Sequence, residues 1–134
     1  MIQVNRISFG YGKQKDSVFK DFTLQFEPGK IYGLLGKNGT GKSTLLYLIA
    51  GMLRPACGTI VANAMNPQQR LPEFLQDIFI VPEEFDLPKL TLQQYARINA
   101  PFYPNFSWET LEKNLRQFEL STDINIGALS MGQK

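Results

Sequence analysis

Apolar and polar positions alternate from the first residues. Ile2, Val4 and Phe9 stand among polar neighbours, with Ile7 displaced by one place, and Phe22, Leu24 and Phe26 alternate with Thr23 and Gln25. A period of two sends one set of side chains to one face, so both stretches predict half-buried strands. Gly10-Tyr11-Gly12 falls in the loop between them, and Pro28-Gly29 punctuates the end of the second. Ile31-Tyr32-Gly33-Leu34-Leu35 is a short continuous apolar run, the pattern of a strand buried on both faces. Beyond a glycine-rich segment, Leu45, Leu48, Ile49 and Met52 recur at helical spacing, with Gly51 and Pro55 placed to end the helix. Gly58-Thr59-Ile60-Val61-Ala62 and Ile78-Phe79-Ile80-Val81 predict two further strands. The pattern then turns helical. Thr91 and Gln94 form a capping box with Leu90 positioned to staple onto Tyr95. Ser107 repeats the cap, with Phe106 positioned to staple onto Leu111 and with Leu111, Leu115 and Phe118 as the buried stripe.

Composition narrows the class without naming a function. The 134 residues are 43% hydrophobic and 19% charged, ordinary for one globular domain or part of one. The net charge is +2, and the longest basic cluster, Lys13-Gln14-Lys15, is short and has no interleaved aromatics, so no nucleic-acid partner is expected. A single cysteine, Cys57, excludes an internal disulfide framework. No apolar run approaches the roughly 20 residues that span a bilayer. The amino terminus has no signal-peptide shape, so a cytoplasmic protein is expected, with any membrane connection made through a partner.

The chemistry is concentrated in one loop. Gly36-Lys37-Asn38-Gly39-Thr40-Gly41-Lys42-Ser43 matches G-x-x-x-x-G-K-[ST] in full and stands between a predicted strand and a predicted helix. A polyphosphate needs backbone N–H groups turned inward, which glycines permit because they reach positive φ and leave room for the anion. The helix from Lys42 points its positive end at the same charge. Lys42 is expected to reach the β- and γ-phosphates, and the Ser43 hydroxyl to bind Mg²⁺. Gly36, Asn38, Gly39, Thr40, Gly41 and Thr44 complete the expected nucleotide site.

A second motif lies at residues 129–133, Leu129-Ser130-Met131-Gly132-Gln133. Ser130, with Gln133 three places on, has the form of a helix start, which can bind an anion through free N–H groups and the helix dipole. Together with the phosphate loop it resembles the L-S-x-G-Q signature of ABC ATPases, and the resemblance runs over the whole chain with the order of parts kept.

The resemblance implies ATP and Mg²⁺ as cofactors, and a head-to-tail dimer with a second ATP-binding domain in which Ser130, Gly132 and Gln133 act in trans. Tyr11 matches the aromatic that stacks on adenine, and stacking is the favoured role, although an aromatic near a strand end is often core or turn packing. Glu83 falls where the family usually has a glutamine that contacts Mg²⁺ and the attacking water. Glutamate there can accept hydrogen bonds but adds negative charge and cannot donate as an amide does. Lys42 and Glu83 are therefore the catalytic candidates, with Ser43 and Glu83 as metal candidates. Residues 91–120 resemble the helical subdomain that touches a membrane-spanning partner, and Phe102, Tyr103 and Trp108 could form a contact patch there or pack within the insert.

The family continues past its signature with a strand ending in Asp-Glu, a further loop and a histidine, whereas this chain has no histidine. These residues alone are expected to bind nucleotide without turning it over. The expected fold is α/β, a P-loop NTPase core with an antiparallel β front and a helical subdomain, incomplete at its carboxyl end. Residues 1–90 would form the front and core, 91–128 the helical subdomain and 129–134 the signature. The leading expectation is the ATP-binding subunit of an ABC transporter, cytoplasmic and peripheral on the inner membrane face. The alternative is a soluble ABC ATPase acting on ribosomes or DNA, which would call for a basic surface or a long charged insertion.

Overall fold

The computed structural model describes residues 1–12, 17–82 and 85–129. The chain divides into two compact units, Met1–Ile78 and Phe79–Lys134.

The first unit is built on an antiparallel sheet. Strand β1 (Ile2–Phe9) lies between β2 (Phe19–Phe26) and β3 (Cys57–Ala62). Ile2 pairs with Phe26 on one side and with Ala62 on the other. The displaced Ile7 has a physical cause. Arg6 takes a left-handed φ of 49°, and the register with β2 shifts between Val4 and Ile7, so one extra residue restores Ile7 to the face of Val4. Both side chains are completely buried. Asp21, with φ 50°, answers the irregularity from β2, and its carboxylate takes a 3.2 Å contact from Arg6 Nε. That pair is exposed, so its contribution to stability is small.

Helix α1 (Lys42–Ile49) closes the core, with Leu45, Leu48 and Ile49 packed with Val4, Ile7, Phe9, Phe19 and Ile60. Its end is a Schellman turn. Met52 N donates to the Tyr47 carbonyl at 2.9 Å and Gly51 N to the Leu48 carbonyl at 3.2 Å, with Gly51 at φ 70°. Met52, expected in the buried stripe, is instead carried past the helix end into solvent by that turn.

Two expected strands are not formed. Residues 31–35 take no strand conformation, and Ile31 and Leu35 are fully exposed. Residues 78–81 likewise form no strand, with Phe79 and Val81 exposed. A strand exists only through a neighbour that takes its backbone hydrogen bonds, and among the described residues neither run has one. A short helix, α2 (Pro72–Leu75), buries Phe74 between the two runs in sequence.

The second unit is helical. Helix α3 (Leu92–Asn99) starts at the expected capping box, with Gln94 N donating to Thr91 Oγ1 at 3.2 Å and Thr91 N to Gln94 Oε1 at 2.9 Å. Helix α4 (Trp108–Gln117) starts at Ser107, whose hydroxyl accepts from Thr110 N at 3.2 Å. Leu115 is buried as expected, but Phe118 is 73% exposed. The helix stops before it. Glu119 takes φ 55° and Leu120 N donates to the Leu115 carbonyl at 2.9 Å, so Leu120 folds back into the place expected for Phe118.

Candidate nucleotide site

The first unit carries a loop shaped for an anion. Gly39 and Gly41 take φ 83° and 93°, a region that residues with a β-carbon rarely adopt. Gly41 is also required by its neighbours, because a β-carbon there would come within 2.6 Å of Val18 Cγ1 and 3.0 Å of Phe19 Cζ. The loop therefore rests on the head of β2. Val18 and Phe19 were not legible as part of this site, since the irregularity at Asp21 hides their place in the strand alternation.

Lys42 bends back over the loop. Its ammonium donates to the Gly36 carbonyl at 2.8 Å and to the Lys37 carbonyl at 2.9 Å, and Thr40 Oγ1 donates to the same Lys37 carbonyl at 2.9 Å. Residues 36–44 contain two lysines and no acid. Helix α1 begins at Lys42 with no side-chain cap and no acidic residue in its first turn. Free N–H groups, a helix dipole and two cations favour clustered negative charge at this point.

The aromatic candidate lies beside this helix start. Tyr11 Oη is 3.1 Å from Thr44 Oγ1, and the Tyr11 ring meets Phe9 edge-to-face with centroids 5.0 Å apart. Tyr11 remains 55% exposed, whereas Thr44 is 7% exposed and is the buried polar residue among those described. The Ser17 hydroxyl lies against the Phe9 and Phe19 carbonyls and closes the neck of the loop that carries Tyr11. Tyr11 thus lies against the first turn of the helix that follows the loop. Glu83, Ser130, Gly132 and Gln133 lie outside the described residues, as does the basic cluster at 13–15.

No group of three or more metal-ligating side chains occurs among the described residues. Ser43 offers one hard hydroxyl oxygen at the helix start, which suits Mg²⁺, a cation that takes most of its shell from phosphate and water. In the second unit, Trp108 meets Phe106 edge-to-face at 5.0 Å and Tyr103 tilts against Phe79 at 6.3 Å, while Phe102 stays exposed. Trp108 thus packs within the insert, though still partly exposed, and Tyr103 packs on Phe79 ahead of it.

The sequence profile of the ABC transporter family matches residues 19–134. The chain belongs to the ABC transporter family. It is 32% identical over 120 residues to the ABC transporter ATP-binding protein YtrB of Bacillus subtilis, covering 89% of this chain and 41% of that protein. It is 27% identical over 140 residues to the Nod factor export ATP-binding protein I of Cupriavidus metallidurans, covering 100% of this chain and 46% of that one. Among solved structures, an ATP-binding subunit of an ABC transporter superposes with a TM-score of 0.82 at 29% identity, over 98% of this chain and 56% of its own. The fold is that of an ABC ATPase domain, α/β with an antiparallel front. This ABC transporter chain spans about half the length of these relatives. No described helix is long and apolar enough to cross a membrane.

Proposed function

We propose that this chain is the nucleotide-holding part of an ABC transporter's ATP-binding subunit, coupling ATP binding and hydrolysis to transport across a membrane. The observation that carries the reading is the loop at 36–44, with left-handed Gly39 and Gly41, Lys42 folded over it and the uncapped start of α1 behind it. In this reading Lys42 neutralises the β- and γ-phosphates, Ser43 contributes a ligand to Mg²⁺, and Tyr11 offers a flat face to adenine. Glu83 would approach the metal and the attacking water. Ser130, Gly132 and Gln133 would close on the γ-phosphate held by a second copy or a homologous domain. The subunit would sit at the inner face of the membrane on a membrane-spanning partner.

Tyr11→Ala tests the site. It should lower the affinity for ATP relative to inorganic triphosphate by about fivefold or more, since base–aromatic stacking contributes on the order of 1–3 kcal/mol. Calorimetric titration of both ligands gives the ratio, and an unchanged ratio would show that Tyr11 does not carry the base.

The trans role of the signature is tested separately. With ATP and without Mg²⁺ the protein should sediment as a dimer, and Ser130→Arg should keep it monomeric while still binding ATP, with the affinity of an isolated chain. Dimerisation of Ser130→Arg like the parent would exclude Ser130 from the interface.

A further inference from the structure

We propose that Tyr11 is a latch on the nucleotide site, whose hydroxyl holds Thr44 and must yield to a phosphate oxygen. The inference rests on the reading that the loop at 36–44 holds ATP, and it adds a cost to filling that site.

Thr44 is the third residue of α1, within the first turn that closes the anion site, and its hydroxyl is otherwise shielded from water. Tyr11 Oη reaches it at 3.1 Å. A phenol tip at the first turn stands where a phosphate oxygen would approach that hydroxyl. A ring held by its tip in this way is not free to lie flat on a base joined to the same phosphates. Ser17 closes the neck at the Phe9 and Phe19 carbonyls, so the loop keeps its base. Gly12 follows Tyr11 at φ 71°, a left-handed conformation open to glycine. The ring itself is more than half exposed and touches Phe9 only by an edge contact. Binding then exchanges a neutral hydrogen bond to Thr44 for stacking on the base, and the exchange lowers the apparent affinity.

Removing the hydroxyl while keeping the ring separates the two roles. Tyr11→Phe should tighten binding of both ATP and inorganic triphosphate by about two- to tenfold, the range set by one neutral hydrogen bond. In a Thr44→Val background the same substitution should change neither affinity, because the contact is already gone. Equal or weaker triphosphate binding by Tyr11→Phe overturns the latch, as does a gain that persists without the Thr44 hydroxyl. The nucleotide-site reading fails by a different sign: parent and variants would then bind neither ligand.

Discussion

Lys42→Ala should lower the affinity for ATP by at least tenfold and, at the upper end, by about 150-fold. A charge-assisted hydrogen bond to phosphate contributes about 1.5–3 kcal/mol, which sets that range. The structure adds a second loss. The ammonium gathers the Gly36 and Lys37 carbonyls at 2.8 and 2.9 Å, so it also holds the loop in its curl. Without it the curl depends on Thr40, whose backbone N–H and hydroxyl both reach Lys37 O, and on the conformations of Gly39 and Gly41. ATP would then have to order the loop as well as fill it. Lys42 is half-buried and holds the loop without belonging to the core cluster, so thermal stability should fall only slightly. Calorimetric titration decides the matter. An alanine variant that binds ATP like the parent would remove the phosphate role from this loop.

Gly51→Ala should lower stability on the order of 3 kcal/mol. The left-handed conformation at φ 70° by itself costs an alanine about 1–2 kcal/mol. The rest is steric, since a β-carbon would lie 2.1 Å from the Pro67 carbonyl oxygen and 2.7 Å from its carbon. Both are backbone atoms, so relief requires moving either the end of α1 or the turn at Pro67–Gln69. Gly29→Ala is the matched comparison, with φ 72° and nothing within 4 Å of the added atom. It should cost only the conformational part. Urea unfolding of both variants gives the difference. A Gly51→Ala protein as stable as Gly29→Ala would mean that the helix end retreats from Pro67 without penalty.

Legibility in the sequence followed the range of the interaction. The loop at 36–43 could be read because its eight residues are contiguous and each glycine answers a local demand. The caps at Thr91 and Ser107 could be read for the same reason. The end of α1 was visible because glycine occupies its left-handed position. The end of α4 was not, because Glu119 takes the equivalent position without the residue type that usually announces it. The displacement of Ile7 was visible as a fault in the alternation, but its cause at Arg6 and Asp21 is a pairing across two strands. Runs 31–35 and 78–81 show the limit most clearly. An apolar run records what a segment avoids, while a strand depends on a distant partner that its own residues do not name. Tyr11 could be singled out in the sequence, but its bond to Thr44, 33 residues away, could not.

The central place of β1 has a consequence for the order in which the molecule can be made. Its pairing with β2 joins neighbours in sequence, so that hairpin can close soon after the first 26 residues have been synthesised. Its other edge must wait for β3, because Ile2 pairs with Ala62. Until then β1 keeps one row of backbone groups open, and the apolar faces of β1 and β2 have no cover from α1. The loop at 36–44 and helix α1 lie between Ile2 and Ala62, which this closure brings together. The loop and its helix are thus enclosed by the same long-range step that completes the sheet. A nascent chain halted before Ala62 would present an unpaired strand edge to other chains instead of an enclosed loop.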